Sequence, residues 1–144
     1  MISEAKETVG WVEKVIITAE EIEVKAKIDS GARHSSLHCG CKNFTKNNGE
    51  KWVRFTVRNY KDEFVEINKK VIRQARIRRH NGKMQVRDVI KLSICLGSVR
   101  KEVEVNLVNR KGLNFQMLIG RSFLKNDFLI DSGNKYINNP NCVI

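Results

Sequence analysis

The chain has 144 residues, which is the size of one domain with a hydrophobic core of its own. No apolar run approaches the roughly 20 residues of a membrane-spanning helix, and the charged first residues show no signal peptide, so we expect a cytoplasmic protein. The 27 lysines and arginines outnumber the 16 acidic residues and give a net charge of +11, which favours acidic protein, nucleic acid or anionic membrane as a partner.

The four cysteines are expected to be reduced. They are Cys39, Cys41, Cys95 and Cys142. A chain without a secretory signal belongs in a compartment where thiols stay reduced, and a bridge between Cys39 and Cys41 would close a very tight ring. We therefore predict no structural disulfide.

Apolar residues that alternate with polar ones predict a mostly-β chain. The alternation runs over Ile22–Ile28, residues 53–57 and residues 103–107, as in strands with one buried face. Turn signals separate these strands at Asn47-Asn48-Gly49, Asn81-Gly82 and Gly97-Ser98. Because Asn-Gly suits a type I′ turn, Asn81-Gly82 predicts a two-residue hairpin.

One short helix is predicted near the C-terminus. It covers residues 121–126, directly after Gly120 and the apolar segment Met117-Leu118-Ile119. Residues 138–144 are expected to be frayed, as chain ends often are. The fold class predicted from these elements is all-β, a closed or nearly closed barrel with one short C-terminal helix.

The turn Asp29-Ser30-Gly31-Ala32 is the main candidate for chemistry. It follows the strand Ile22–Ile28, so a carboxylate lies where an apolar strand ends, and Gly31 allows the backbone to approach another chain closely. Asp-Ser-Gly is also an ordinary surface turn. Two such carboxylates face to face share one proton, and one can then activate water while the other polarises a peptide carbonyl.

Two segments together resemble the signature blocks of retropepsin-like aspartic proteases. The first is residues 24–32, an apolar strand ending in Asp-Ser-Gly-Ala, and the second is residues 117–124, with Gly-Arg before a short helix. Residues 27–38 and 87–90 look more narrowly like the bacterial branch catalogued as ATP-dependent zinc proteases, often linked to enzymes that add glutamates to ribosomal protein. We expect residues 1–144 to form one such domain, with its core at about residues 10–138.

The resemblance implies roles for particular residues. Asp29 would be the catalytic carboxylate, and the dyad would form across a homodimer. Ser30 would fix the two turns across the dimer axis, while Gly31 and Ala32 would shape the substrate groove. Gly120 and Arg121 would support the active-site loop from behind. The implied activity is an aspartic endopeptidase that needs no cofactor.

A cationic cleft is expected because Arg33 replaces the acidic residue that many retroviral members have after the alanine. The basic residues expected to line it are Arg33, Arg73, Arg76, Arg78, Arg79, His80, Lys83 and Arg87, of which Arg33, Arg78, Arg79 and His80 are the proposed substrate-binding set. Such a cleft favours acidic, glutamate-rich substrates, including a glutamate-tailed ribosomal protein. A solvated basic face would have the same composition.

The second Asp-Ser-Gly, at Asp131-Ser132-Gly133, is interpreted as a turn after a closing strand at residues 128–131. By the resemblance, residues 78–83 form a hairpin where the family places its flap, and only 11 residues follow Gly133, too few for a second flap and helix. The missing carboxylate is therefore expected from a second copy of the chain.

Two other functions remain open at this point. An inactive basic barrel would bind acidic protein or, less in keeping with the few aromatic residues, nucleic acid. A zinc-dependent hydrolase would use His34, His38, Cys39 and Cys41, which have suitable ligand atoms but no familiar spacing. A phosphate-binding Gly-x-x-x-x-Gly-Lys loop is absent, which argues against ATP dependence.

Overall fold

The structure, a computed structural model, describes residues 5–39, 42–78, 81–109 and 114–142. Strand makes up 64% of it and helix 3%, which confirms the all-β fold class. The eleven strands and one helix are β1 Glu7–Ile17, β2 Ile22–Ile28, β3 Ser35–His38, β4 Lys42–Asn47, β5 Glu50–Arg58, β6 Phe64–Lys70, β7 Arg73–Arg78, β8 Met84–Leu96, β9 Val99–Val108, β10 Met117–Ile119, α1 Arg121–Leu124 and β11 Phe128–Lys135.

Six strands of the larger sheet close into a barrel. The sheet has the order β11-β1-β2-β10-β3-β9-β8-β7, and β1 also pairs with β8 through Ile16–Cys95 and Ile17–Ile94. This extra pairing joins the two ends of the run from β1 to β8, while β11 and β7 extend beyond the ring as edge strands. The barrel core contains the inward residues that the sequence predicts, among them Val24, Ala26 and Leu107.

A smaller antiparallel sheet, β4-β5-β6, packs against the barrel. Its apolar face supplies Val53, Phe55, Val57 and Ile67 to the common core. Phe55 is 1% exposed, so the interpretation of this aromatic residue as core rather than as a base-stacking surface is confirmed.

Turn geometry agrees with the sequence at two of three sites. Asn48-Gly49 joins the pair Asn47–Glu50 with positive φ at both residues, and Gly97-Ser98 joins the pair Leu96–Val99. The hairpin between β7 and β8 differs, because the pairing of Arg78 with Met84 centres its loop on Asn81. A two-residue Asn81-Gly82 turn would need a register shifted by one residue, so that prediction is wrong.

The single helix ends earlier than predicted. It stops at Leu124 rather than at residue 126, because Lys125 already has an extended ψ of 141° and Asn126 follows with a left-handed φ of +77°. No described helix is long and apolar enough to cross a membrane.

Cys95 and Cys142 form a disulfide, which corrects the prediction that all thiols are reduced. The two residues are 47 positions apart, and their Cα atoms lie 6.1 Å apart, within the normal range for a bridge. Sequence spacing gave no sign of this pair because the C-terminal segment has to fold back along the barrel to bring Cys142 to the end of β8.

The C-terminal segment is ordered, which corrects the expectation of fraying over residues 138–142. Tyr136 N donates to Val12 O at 2.9 Å, and Asn141 N donates to Gly97 O at 2.7 Å. Between them, the buried Glu13 carboxylate accepts hydrogen bonds from Ile137 N and Asn138 N at 3.1 and 3.3 Å. Backbone bonds and one buried carboxylate therefore hold this segment against β1 and against the turn between β8 and β9.

Candidate active site

Parallel pairing of β2 with β10 brings the two sequence blocks together. Ile28 pairs with Ile119, so both strands end at the same level. Asp29 then follows one strand and Gly120 the other, and Asp29 N donates to Ile119 O at 2.9 Å. Two segments about 90 positions apart in sequence thus form one continuous structure around the Asp-Ser-Gly turn.

The turn fixes the Asp29 carboxylate through its own backbone. Gly31 N donates to Asp29 Oδ1 at 3.0 Å, and Ala32 N donates to Asp29 O at 3.2 Å. Asp29 is half-buried, with Ser30 and Gly31 exposed beside it. A carboxylate held in this way keeps one oxygen oriented by the turn while the residue remains accessible from the cleft.

The start of α1 supports the turn from behind. Arg121 N donates to Ala32 O at 2.8 Å, and Ser122 N donates to Arg33 O at 3.0 Å. The Arg121 side chain adds a third bond, from Nη1 to Ser30 O at 2.7 Å. Arg121 therefore binds the turn through both its backbone and its side chain. The side chain binds the carbonyl oxygen of Ser30, since position 33 is an arginine here and offers no carboxylate.

Gly120 is placed where no side chain fits. A Cβ at this position would lie 2.5 Å from His34 O and 3.0 Å from Ala32 O. Gly120 N also donates to Ser35 Oγ at 3.1 Å. Because the backbone at Gly120 approaches the backbone of residues 32–34 this closely, α1 can contact the turn.

Asp29 lies in a cleft of about 870 Å³ that is strongly cationic. Among the described residues that line it, Asp29 is the only carboxylate, and the cations are Lys27, Arg33, Arg78 and Arg87. Lys27, Arg33 and Arg78 are exposed, whereas Arg87 is buried. The cleft thus combines one acidic group with an excess of positive charge.

The other basic residues predicted for the cleft lie elsewhere or cannot be placed. Arg73 forms an ion pair with Glu104, with Nη2 and Oε1 2.6 Å apart, and Arg76 and Lys83 are exposed outside the cleft lining. The expectation that these three line the cleft is therefore wrong. Arg76 and Arg78 are two positions apart and share one face of β7, so alternation does not distinguish them; Arg78, at the end of the strand, is the one that lines the cleft. Arg79 and His80 are outside the described residues.

Comparison with family models decides which group of proteins shares this arrangement. Residues 8–141 match the model of the RimB-like family, described as retropepsin-like aspartic endopeptidase RimB. The chain belongs to the RimB-like family. The matched range includes the Asp29 turn, the Gly120-Arg121 segment and the whole barrel.

Sequence relatives and one solved structure agree with this assignment. A probable alpha-L-glutamate ligase of Shewanella halifaxensis is 36% identical over 116 residues, and one of Desulfotalea psychrophila is 32% identical over 111 residues. These matches cover 78% and 75% of this chain, which spans only about a quarter of the relatives' length. A Legionella pneumophila protein of unknown function has a crystal structure with TM-score 0.77 and 25% identity, covering 94% of this chain and 100% of that one.

The second Asp-Ser-Gly is outside the cleft of this RimB-like chain. Asp131 lies inside β11, not in a turn after it, where the pairing with β1 slips between Gly10 and Val12. Its carboxylate accepts bonds from Asn134 Nδ2 at 2.7 Å and Gly133 N at 3.0 Å, and the Asn134 bond in particular lowers the pKa of Asp131. Asp131 therefore closes a bulge in the edge strand, outside the cleft.

The candidate zinc ligands are spread over different environments. His34 is exposed in the cleft, His38 ends β3 half-buried, Cys39 is buried, and Cys41 is outside the described residues. Burial, followed by the charge of Arg58, lowers the pKa of His38. Within the described ranges, no group of three or more histidine, cysteine or acidic side chains is arranged to hold a metal ion.

A second cavity, of about 530 Å³, lies at the opposite end of β2 from Asp29. Glu23, Tyr60 and the Cys95–Cys142 disulfide are among the residues that line it. It contains no part of the Asp-Ser-Gly turn, so we assign the candidate active site to the cleft at Asp29.

Sequence reasoning missed Asn106 and Gln85, which contact Arg87 in the cleft. Asn106 alternates with Val105 and Leu107 and was expected to face outward, yet it is 5% exposed. No local signal marks Asn106, because its partners come from β3 and β8, which only the strand order places on either side of β9. Gln85 is two residues before Arg87 on β8, so the period of two could have indicated that these side chains share a face.

Proposed function

We propose that this chain is one protomer of a homodimeric aspartic endopeptidase of retropepsin type, acting on acidic, glutamate-rich protein segments. The observation that carries the proposal is the single, backbone-fixed Asp29 in an otherwise cationic cleft. Aspartic catalysis needs a pair of carboxylates, and one copy of the described chain offers one in this cleft. A second copy is the simplest source of the other.

In the proposed reaction the two copies of Asp29 share one proton. The ionised carboxylate accepts a proton from water, the hydroxyl adds to the peptide carbonyl carbon, and the protonated carboxyl donates to the carbonyl oxygen. When the tetrahedral intermediate collapses, the C–N bond breaks and the leaving nitrogen takes a proton from the dyad. The role of Arg121 is to keep the turn in place through Ser30 O.

The acidic substrate class rests on charge and on the relatives' names. Lys27, Arg33, Arg78 and Arg87 line the same cleft as Asp29, and such an excess of positive charge raises the local concentration of anionic peptides. The relatives named glutamate ligases contain a region similar to this chain, so glutamate tails, including those on ribosomal protein, are the substrate we propose.

The decisive experiment compares cleavage of a glutamate-tailed protein by wild type and Asp29→Asn, with and without EDTA, followed by mass spectrometry. We expect cleavage that resists EDTA and falls at least about a thousandfold in Asp29→Asn, because the substitution replaces both carboxylates of the dyad in a homodimer. The matched control is Asp131→Asn, which changes the second Asp-Ser-Gly and is expected to retain activity.

Other outcomes would redirect the assignment. Cleavage abolished by EDTA would favour a metal-dependent hydrolase, and equal cleavage by Asp29→Asn would contradict the aspartic mechanism. A second candidate, an inactive barrel that binds acidic protein, is favoured by the same excess of cations in the cleft. It predicts no cleavage of this substrate or of a peptide library, with binding unchanged in Asp29→Asn.

A further inference from the structure

Among the described cations that line the cleft, Arg87 is the one that is buried. It lies on β8, opposite Ala75 of β7, and is 9% exposed. Arginine is rarely buried to this degree in a protein, whereas Arg33 and Arg78 are exposed as is usual. Burial makes its charge less screened by salt than the charges at the rim of the cleft.

Two neutral side chains fix the orientation of the Arg87 guanidinium. Nε donates to Gln85 Oε1 at 3.0 Å, and Nη1 donates to Asn106 Oδ1 at 2.9 Å. Both acceptors are amide oxygens, so these two bonds orient the planar group without placing a negative charge against it. An oriented guanidinium loses little conformational freedom when it binds a carboxylate.

The same contacts tie Arg87 to the turn that carries Asp29. Asn106 Nδ2 donates to Ser35 O at 3.0 Å, and Ser35 Oγ accepts the bond from Gly120 N. Gly120 is followed by Arg121, whose backbone and side chain hold the turn. Arg87 and Asp29 are thus held in one hydrogen-bonded framework and line the same cleft.

We propose that Arg87 is a specificity-determining residue that binds the side-chain carboxylate of a substrate glutamate close to the bond cut at Asp29. This assignment rests on the proposed function. Arg33 and Arg78 attract acidic chains in a salt-dependent way, whereas Arg87 distinguishes a carboxylate from the amide of the same shape. A neutral glutamine at that place would replace a charge-assisted, bidentate pair of hydrogen bonds with weaker neutral ones, so the carboxylate is preferred.

The test measures binding separately from turnover. An acetylated tetraglutamate peptide and its tetraglutamine counterpart are titrated by calorimetry into Asp29→Asn protein, in low and in high salt. We expect tetraglutamate to bind more tightly than tetraglutamine at both salt concentrations. When Arg87→Gln is added, the ratio of the two dissociation constants should fall by about tenfold or more. The matched control is Arg76→Gln, which removes an exposed arginine outside the cleft lining and should keep the preference.

Each result has a definite reading. The assignment would be overturned if Arg87→Gln kept the preference for tetraglutamate, or if Arg76→Gln lost it to the same extent. It would also be overturned if the parent protein showed no such preference. If Arg87→Gln does not fold, Arg87→Lys decides: it keeps the charge but not the planar group held by Gln85 and Asn106, and undiminished preference would again overturn it. Glutamate-selective binding lost in Arg87→Gln, together with no cleavage by wild type, would reject the peptidase function and keep Arg87 as the carboxylate-binding residue.

Discussion

Gly120 links the helix to the active-site turn at the scale of a single residue. Because its Cβ position falls 2.5 Å from His34 O, Gly120→Ala must push the two backbone segments apart. We expect a loss of about 1–3 kcal/mol in the free energy of unfolding, as for other overpacked sites, measured by urea denaturation. Cleavage should fall as well, because the bonds from Arg121 to the turn depend on this approach.

The control for this substitution is Gly133→Ala in the second Asp-Ser-Gly. There the nearest atom to the new Cβ is Asp131 Oδ1, at 3.5 Å, which is ordinary contact. We expect little change in stability for this variant. If the two variants were equally stable, the tight contact at Gly120 would not be a structural requirement.

At the scale of elements, the C-terminal segment depends on a carboxylate in β1. Glu13 is fully buried and accepts bonds from the backbone of Gly10, Ile137 and Asn138. In Glu13→Gln an amide NH₂ replaces one acceptor and faces a backbone donor. We expect a loss of about 1–3 kcal/mol in the free energy of unfolding and faster proteolysis of the segment.

An exposed acid on β9 provides the comparison. Glu102→Gln alters a side chain that is 67% exposed and 4.0 Å from Lys91, so we expect a change within about 0.5 kcal/mol. Equal stability of Glu13→Gln and Glu102→Gln would show that the disulfide and the backbone bonds hold the segment without Glu13.

At the scale of the whole molecule, the proposed dimer has a quantitative consequence. If the site needs Asp29 from both copies, a one-to-one mixture of wild type and Asp29→Asn that exchanges freely contains about a quarter wild-type dimers. Activity should then fall to about a quarter of that of wild type at the same total concentration, measured after mixing and equilibration above the dimer dissociation constant.

The same mixing experiment with Asp131→Asn separates this effect from dilution or misfolding. We expect that mixture to keep nearly full activity, because Asp131 is outside the cleft. A fall to about half with Asp29→Asn would instead indicate that each chain acts alone, which contradicts the shared dyad.

The sequence by itself determined the local features of this protein. Period-two alternation located β2, β5 and β9, and the Asp29 and Gly120-Arg121 blocks pointed to the family that the comparison confirmed. These features follow from neighbouring residues: side chains that alternate between two faces of a strand, and turns that need glycine or asparagine.

The tertiary structure alone decided which distant residues meet. Pairing of β9 with β8 and β3 brings Asn106 to Arg87 and to Ser35, and the return of the C-terminal segment along the barrel brings Cys142 to Cys95. The register of β7 with β8 separated Arg87, in the cleft, from Arg76, in solvent, although both were expected to line the cleft: Arg87 pairs with Ala75 and Arg76 with Val86, so the two side chains point to opposite faces of the sheet. Local periodicity carries no information on such contacts, because they depend on strand order and register across the whole chain.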